Sequence, residues 1–507
     1  MINQNSAPNF NKQSEDNKNK PQFDFNIIDA NDIINDAEKL ENKLINNKKA
    51  TPHNEILSQL IEQFEPIDFE AIANPQKAPD FEIKGKHYVI LSIENAVKVA
   101  KKNNWGLCKN HDFIYLYNGT FWAEIDEETF KNFLGEAAEK MGVSIFSARF
   151  YLFKEQLFKQ FISAAYLPTP EICKNTVLVN LQNGTFEISA KETKLKPFDS
   201  LDFLTYQLPF EYNPTAKAPL FEAYLNKVLP DMERQRVLAE YLGFVFIKHG
   251  SNALKEEKAL ILYGTGANGK SVFFEIVNSL LGSENVSSYS LQSLTNENGY
   301  FRAKISDKLV NYASEINGKL EASIFKQLVS GEPVEARLPY GRPFTLTQYA
   351  KLIFNCNELP KDVEHTNAYF RRFLIIPFDV TIPPNEQDKT LHTKIIESEL
   401  SGVFNWVLEG LNRLLKQKSF SNCNAAKNAV EKYKIESDSI QMFLSEYEYK
   451  VSLNNTMPLN SLFNEYRSYC IEGGFKSFNI RNFAERLRNS GYETERKNYG
   501  TAINAEK

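Results

Sequence analysis

Cysteine, tryptophan, methionine and histidine are scarce in this chain of 507 residues, which holds five Cys, three Trp, five Met and six His. The cysteines stand singly, with no CxxC pair and no histidine at ligand spacing, so the sequence indicates neither a disulfide framework nor a zinc site. No run approaches the ~20 apolar residues that span a bilayer, and the first residues lack the regions of a signal peptide. We therefore expect a cytoplasmic protein that does not enter a membrane.

An excess of positive charge is also missing, because 59 Lys and Arg stand against 64 Asp and Glu. The deficit comes from the first 80 residues, which hold 8 Lys, no Arg and 14 Asp or Glu. The rest of the chain is close to neutral. The average charge therefore does not exclude a nucleic-acid binder, since local basic patches decide such binding.

Apolar residues are abundant, at 42% hydrophobic and 13% aromatic, which excludes a wholly disordered or collagen-like chain. Twelve Asn in the first 50 residues predict a disordered, acidic arm. Composition and periodicity divide the chain into an arm over 1–85, an accessory α+β domain over 86–215, a helical lead-in over 216–257, an α/β core over 258–380, a helical segment over 381–437 and a tail over 438–507.

Two Asn-Gly pairs predict tight hairpins in the accessory domain. Asn118-Gly119 separates the strand candidates Phe113–Tyr117 and Phe121–Ile125, and Asn183-Gly184 separates a second pair. Such a dipeptide supplies the positive φ angles that a two-residue turn needs.

A glycine-rich loop (264–271) lies between an apolar strand candidate, Ala259–Tyr263, and a helix candidate, Val272–Leu281. Glycines let backbone N–H groups surround phosphate oxygens, Lys270 reaches the β and γ phosphates, and the Ser271 hydroxyl ligates Mg²⁺. The pattern predicts a site for ATP and Mg²⁺, although the loop alone does not separate a helicase from a kinase or a GTPase. Its residues are Gly264, Thr265, Gly266, Ala267, Asn268, Gly269, Lys270 and Ser271.

Two polar residues follow further strand candidates of the core. Leu309–Ala313 leads to Glu315, and Lys351–Asn355 leads to Asn357. Because the carboxyl ends of parallel strands face the ligand crevice, Glu315 is a candidate to activate water near Mg²⁺, and Asn357 to bind the γ-phosphate or that water. The alternatives are a solvated loop glutamate and an Asx turn before Pro360.

Arg371 and Arg372 precede the last strand candidate of the core. A guanidinium that reaches a γ-phosphate stabilises the charge of the transferring group, often across a subunit boundary. An arginine finger at this place would require an oligomer. The alternative is a surface pair that merely flanks a strand.

Alternating residues on either side of Pro339–Pro343 predict a hairpin whose tip exposes Arg337, Tyr340 and Arg342. Cation, aromatic and cation together suit a loop that follows a single-stranded nucleic-acid backbone. An ordinary charged hairpin is the alternative.

The tail reads as three helices, Asp438–Tyr447, Leu459–Ile471 and Ser477–Asn489, followed by a strand over Tyr492–Glu495, which is typical of a winged helix. The net charge of residues 476–507 is +3, which favours phosphate contacts from the third helix. A solvated helix face is the alternative. The cationic residues of that helix are Arg481, Arg486 and Arg488.

These motifs in this order resemble the helicase part of the phage and plasmid primase-helicase family, which belongs to the superfamily 3 helicases and includes the poxvirus primase-helicase. The likeness runs from roughly residue 100 to the C-terminus. It rests on Gly264–Ser271, Lys308–Glu315, Ser330–Glu332, Lys351–Pro360 and the pair Arg371-Arg372.

By this resemblance Gly264–Ser271 is the Walker A loop, Glu315 the Walker B acid, Asn357 the sensor 1 residue and Arg372 the arginine finger, while Arg337–Arg342 belongs to a DNA-contacting hairpin. The resemblance implies an AAA+-like α/β fold, with helices on both faces of a parallel sheet, assembled as a homohexameric ring around one DNA strand. It also implies a winged-helix tail.

The chain departs from the family pattern in two places. Ser314 stands where many P-loop ATPases carry an Asp, so Mg²⁺ would rest on Ser271, phosphates and waters with Glu315 nearby. Residues 1–90 are too short and too rich in Asn for the family's priming domain, so we expect no primase activity.

The sequence thus favours an ATP-dependent DNA helicase or translocase for the replication of a phage, plasmid or other mobile element. Its substrates would be single-stranded and forked duplex DNA, with a primase or polymerase as a further partner. The main alternative is a non-unwinding, ATP-switched DNA-binding initiator or regulator. A small-molecule kinase leaves the arginine pair, the hairpin and the basic tail unexplained.

Overall fold

The computed structural model of the protein describes residues 52–507 apart from residues 104, 111, 112, 165–174, 189–192, 315, 317–320, 340, 361, 362 and 476. Over this part of the chain, none of the helices has the length and apolar character needed to span a bilayer.

The first folded portion packs helices against a three-stranded antiparallel sheet. Helical spacing of large apolar residues creates its core, in which Phe130, Leu134 and Leu157 are almost fully buried. The helices are α1 (His53–Ile61), α2 (Phe69–Ala73), α3 (Gly85–Lys102), α4 (Glu127–Lys140), α5 (Ile145–Ala148) and α6 (Tyr151–Ala164), and the strands are β1 (Leu107–Asn110), β2 (Phe113–Tyr117) and β3 (Trp122–Glu124).

The predicted start of the folded chain at residue 86 is too late. Helices α1 and α2 precede it, and Leu57, Leu60 and Phe69 from this stretch are buried in the same core as α4 and α6. The sequence allows a short amphipathic helix around residues 54–64, but its polar surroundings gave no sign that the apolar side of this helix packs into the core.

Both Asn-Gly pairs lie at hairpins, but in different registers. Tyr117 pairs with Trp122 around the first, where Gly119 has a φ of 91°. At the second, Leu181 pairs with Gly184, so the turn is Gln182-Asn183 and the glycine already belongs to the strand. The strands of this second sheet are β4 (Val177–Leu181), β5 (Gly184–Ile188) and β6 (Thr193–Lys196).

A five-stranded parallel sheet forms the α/β core, in the order β13-β7-β12-β9-β8. The helical lead-in before it consists of α7 (Pro219–Val228) and α8 (Met232–Phe244). The strands of the region are β7 (Ala259–Tyr263), β8 (Val286–Ser287), β9 (Val310–Ser314), β10 (Val334–Arg337), β11 (Pro343–Leu346), β12 (Lys351–Cys356) and β13 (Phe373–Pro377), and its helices are α9 (Lys270–Leu281), α10 (Leu291–Leu294), α11 (Tyr300–Ala303), α12 (Ala322–Ser330) and α13 (Asn367–Phe370).

Successive residues of β7 face two different cores, as the period of a strand requires. Leu260 and Leu262 pack in one core with Phe273 of α9, whereas Ile261 packs in the other with Phe325 of α12. The parallel α/β sheet covered on both faces is therefore as the sequence predicts.

The C-terminal third begins with helices that pack on the lead-in and ends in a small α+β unit. Strands β15, β17 and β16 make a three-stranded antiparallel sheet there, and β14 pairs with β18. The elements are α14 (Leu391–Ser398), α15 (Leu400–Gln417), α16 (Asn424–Glu436), α17 (Ser439–Glu446), β14 (Lys450–Val451), β15 (Met457–Pro458), α18 (Leu459–Glu472), α19 (Ile480–Asn489), β16 (Thr494–Lys497), β17 (Gly500–Ile503) and β18 (Ala505–Glu506).

Two glycines allow α8 and α15 to cross closely. A Cβ on Gly410 would lie 2.4 Å from the Ala239 carbonyl carbon, and one on Gly243 would lie 2.6 Å from Leu411 Cβ. Both distances are shorter than non-bonded contact allows, so each position requires glycine.

We expect Gly410→Ala to reduce the free energy of unfolding by about 1–3 kcal/mol, because backbone atoms of α8 would have to move. Urea denaturation followed by circular dichroism measures the change. Gly85→Ala is the control, since a Cβ there meets nothing within 4 Å and alanine favours a helix. Equal stability of the two variants would contradict the close approach.

A buried lysine begins strand β12. Lys351 Nζ lies 3.0 Å from His249 Nδ1 and 4.4 Å from the ring centroid of Phe244. His249 Nε2 donates to the Tyr349 carbonyl over 3.0 Å, which leaves Nδ1 to accept from Lys351. Burial lowers the pKa of Lys351 to about 7, and burial with the Lys351 charge lowers the pKa of His249 well below its usual value.

The pKa of Lys351 predicts a stability that rises with pH. Above pH 7 the folded chain releases this proton while the unfolded chain keeps it up to its ordinary pKa of 10.5. Unfolding therefore takes up a proton in this window, and the free energy of unfolding should gain up to about 1.4 kcal/mol per pH unit. Lys351→Met should flatten the slope between pH 7.5 and 9.5, and the exposed control Lys255→Met should retain it. Parallel slopes would overturn the prediction.

Candidate nucleotide site at the carboxyl edge of the sheet

The glycine-rich loop (264–271) joins the end of β7 to the start of α9. Its backbone turns with positive φ at Gly266 (120°), Ala267 (50°) and Gly269 (88°). The loop is anchored from outside, since the Ile382 N–H donates to the Ala267 carbonyl over 2.7 Å and Asn268 Nδ2 donates to the Phe378 carbonyl over 3.2 Å. These two hydrogen bonds fix the loop to the chain that follows β13.

Lys270 folds back into the loop and is buried. Its Nζ donates to the Gly264 carbonyl, to Asn268 Oδ1 at 3.2 Å and to Asn357 Oδ1 at 3.3 Å. Burial lowers the pKa of Lys270 from its ordinary value. The ammonium therefore stands where three neutral oxygens meet, and a phosphate oxygen would offer it a charged partner.

Asn357 lies where the sequence predicts it, directly after β12. Its side chain accepts the hydrogen bond from Lys270, which begins the helix after the neighbouring strand β7. Asn355, two residues earlier, also faces the site and accepts a 3.0 Å hydrogen bond from the Tyr312 hydroxyl. Ser314 at the end of β9 lies on the same edge. The parallel sheet thus brings the ends of three strands together at the loop.

Glu315, the predicted general base and metal neighbour, lies outside the described residues. Ser271 is exposed and lines the cavity beside Lys270. Its hydroxyl is the kind of hard oxygen that Mg²⁺ prefers. Among the described residues, no group of three or more His, Cys, Asp and Glu side chains is placed to hold a metal ion.

The cavity above the loop has a volume of about 460 Å³. One wall is the loop with the strand ends, and the other comes from elements that the motif does not reveal: Tyr224, Lys227 and Val228 of α7 and the segment from Ile382 to Leu391. Lys227 and Glu386 form an ion pair of 2.9 Å between those two elements. A cavity of this size suits a nucleotide. The sequence carries no local signal for this wall, which forms only when α7 packs against the core.

Neither Arg371 nor Arg372 lines this cavity. They precede β13 and so lie at the opposite, amino end of the strands. Arg372 is buried and donates to the Ser330 hydroxyl, with a 3.2 Å contact to Glu257. The Arg371 side chain is 60% exposed and contacts Glu257 at 2.8 Å. Of the pair, Arg371 has the more exposed side chain.

The predicted hairpin is formed by β10 and β11, in which Val334 pairs with Leu346. Arg342 is exposed, whereas Tyr340 lies outside the described residues. Arg337 differs from the prediction, because it donates to the Tyr300 hydroxyl over 3.0 Å and lies 5.2 Å from that ring centroid. It ends strand β10 and is half-buried rather than displayed at the tip.

The three arginines of the tail helix do not share one face. Arg481 and Arg488 are exposed. Arg486 turns inward, where it lies 4.1 Å from the Phe478 ring centroid and 3.5 Å from Asp438. It stabilises the unit internally, so the basic surface of this helix is smaller than the sequence predicts.

Three family descriptions match separate parts of the chain. Residues 97–230 match "D5 N terminal like", residues 262–372 match a family of unknown function (DUF5906), and residues 435–506 match "Poxvirus D5 protein-like". Helix α7 falls in the first match. The glycine-rich loop, Asn357 and both arginines before β13 fall in the second.

Two viral proteins that carry provisional helicase names are similar in sequence. The chain is 26% identical over 238 residues to helicase L207/L206 of Acanthamoeba polyphaga mimivirus, covering 45% of this chain and 24% of that protein. It is 23% identical over 372 residues to helicase 121R of Invertebrate iridescent virus 3, covering 64% and 38%. The matches thus span well under half of these relatives' length.

Among solved structures, the chain is similar to the apo C-terminal region of NrS-1, at 13% identity and a TM-score of 0.46, covering 80% of this chain and 98% of that one. The D5-type family matches and the helicase-named viral relatives together support a primase-helicase-like family.

Lys270→Ala should weaken the binding of Mg-ATP by about tenfold or more, because it removes the one cation held inside the loop by three oxygens. Calorimetric titration of the purified chain measures this affinity. The control is Lys326→Ala on α12, a lysine paired with Glu364 away from the cavity. Wild-type affinity in Lys270→Ala would show that the loop does not bind phosphate.

Proposed function

We propose that the protein is an ATP-hydrolysing motor on DNA, a helicase or translocase for the replication of a mobile element. The observation that carries the proposal is the convergence of Lys270, Asn268 and Asn357 on a nucleotide-sized cavity at the carboxyl edge of a parallel sheet. Viral relatives with helicase names support a replicative role.

In this proposal ATP and Mg²⁺ occupy the cavity. Lys270 binds the β and γ phosphates, Ser271 holds the metal, and Asn357 orients the attacking water or the γ-phosphate. Glu315 deprotonates that water. Mg²⁺ supplies charge neutralisation on the phosphates, and the protein groups position the reactants.

The arginine finger comes from a neighbouring subunit of a ring, and Arg371 is the better candidate of the pair because its side chain is exposed. Arg372 then supports the strand end through Ser330 and Glu257. A homohexamer around single-stranded DNA satisfies this arrangement, since each site would be completed by the next copy.

DNA contacts are assigned to two elements. The exposed Arg342 at the tip of the β10–β11 hairpin contacts the single strand together with Tyr340, which lies outside the described residues, and the exposed Arg481 and Arg488 of the tail contact phosphates. We propose a winged helix for the tail, whose order of helices and strands is typical of that fold.

The proposal is tested by steady-state ATP hydrolysis with and without single-stranded DNA, beside displacement of a labelled strand from a forked duplex. Stimulated hydrolysis with displacement is expected, and Lys270→Ala should abolish both. ATP binding with slow turnover indifferent to DNA would favour instead a non-unwinding switch that regulates assembly on DNA.

Arg342→Ala should weaken the affinity for single-stranded DNA several-fold and lower the salt dependence of binding by about one phosphate contact, while ATP affinity is unchanged. Fluorescence anisotropy with a labelled oligonucleotide at several salt concentrations measures both. Arg236→Ala on α8, another exposed arginine, is the control. Equal salt slopes for the two variants would remove the hairpin from the DNA interface.

A further inference from the structure

Tyr224 lies on α7, 45 residues before the glycine that it contacts. Its hydroxyl donates to the Gly269 carbonyl over 2.8 Å, and its side chain is buried. Burial raises the pKa of Tyr224 further above its ordinary value, so the hydroxyl is protonated and can donate at neutral pH. The same carbonyl accepts from the Phe273 N–H over 3.0 Å as the first carbonyl of α9.

The helix packs on the loop without spare room. A Cβ on Gly269 would lie 2.7 Å from Val228 Cγ1 and 3.2 Å from Tyr224 Cε2, and Gly269 itself has a φ of 88°. The side chains of Val228 and Tyr224 therefore leave no room for a side chain at residue 269. Tyr224 and Val228 thus pack against Gly269, the residue directly before Lys270.

A peptide group is planar, and its N–H points away from its carbonyl. Holding the Gly269 carbonyl toward Tyr224 consequently directs the Lys270 N–H the other way. N–H groups at the start of a helix lack intrahelical partners and bind phosphate oxygens. Fixing one peptide plane thus fixes one phosphate donor.

We infer that Tyr224 is a positioning residue, which orients the glycine-rich loop (264–271) for the polyphosphate of a bound nucleotide. The inference rests on the proposed function. It assigns the helical lead-in, which lies outside the matched range 262–372, to the nucleotide site. It also predicts that Tyr224 affects the binding of the β and γ phosphates rather than that of the base or the sugar.

The test compares Tyr224→Phe with Tyr206→Phe. Tyr206 is also buried, and its hydroxyl donates to a backbone carbonyl, that of Leu178, over 3.0 Å, in a part of the chain that does not line the cavity. The two variants lose the same atom and the same kind of hydrogen bond. Affinities for ATP, ADP and AMP are measured by calorimetry in the presence of Mg²⁺, with thermal melting to compare folding.

Tyr224→Phe should weaken the binding of ATP and ADP by about twofold to tenfold and leave the binding of AMP unchanged. The upper end corresponds to the whole free energy of one neutral hydrogen bond, which is the most that losing the preset loop can cost. Tyr206→Phe should leave the relative affinities of the three nucleotides as they are. An equal loss for ATP, ADP and AMP, or identical behaviour of the two variants, would overturn the inference. A wild-type chain that binds neither ATP nor ADP would instead refute the proposed function.

A second variant covers the case in which Tyr224→Phe does not fold. Val228→Ala removes the methyl nearest to Gly269 and retains the hydroxyl of Tyr224. It should give a smaller loss of the same kind, for ATP and ADP but not for AMP. A uniform loss, or none, would contradict the role of α7.

Discussion

The geometry of the candidate site depends on one buried cation. The buried Lys270 ammonium donates to three oxygens: the Gly264 carbonyl, Asn268 Oδ1 and Asn357 Oδ1. An ammonium buried without such partners would cost several kcal/mol. The three oxygens come from the start of the loop, its middle and the end of another strand, so both loop shape and strand register are tied to this contact.

The helices of the lead-in stabilise the same region from the other side. The Tyr241 hydroxyl on α8 donates to the Leu352 carbonyl over 2.7 Å and lies 3.2 Å from the Lys258 carbonyl, which connects this helix to β12 and to the chain entering β7. The close crossing at Gly410 packs α8 directly against α15. The N-terminal sheet adds contacts of its own, since Tyr115 donates to Asp307 over 2.5 Å before β9.

Local signals were sufficient for the centre of the fold. Short apolar runs flanked by a glycine-rich loop and a helix predict β7 and α9, because sterics and hydrogen bonding act over neighbouring residues there. Long-range contacts were not predictable in this way. Arg337, Arg372 and Arg486 look alike in sequence as exposed cations, yet each is turned inward by a partner that is distant in the chain or on another element: Tyr300, Ser330 and Asp438.

The loop, the order of the strand-end residues and the hairpin are predictable from the sequence, since each depends on residue types at short spacing. The contact between Asn357 and Lys270 is not, because it requires β7 and β12 to be neighbours in the sheet. The second wall of the cavity likewise forms only through long-range packing. Tyr224 belongs to no sequence motif. It lies beside Gly269 because α7 packs against the core. That packing depends on buried area and on the fit of side-chain shapes, which no local sequence pattern encodes.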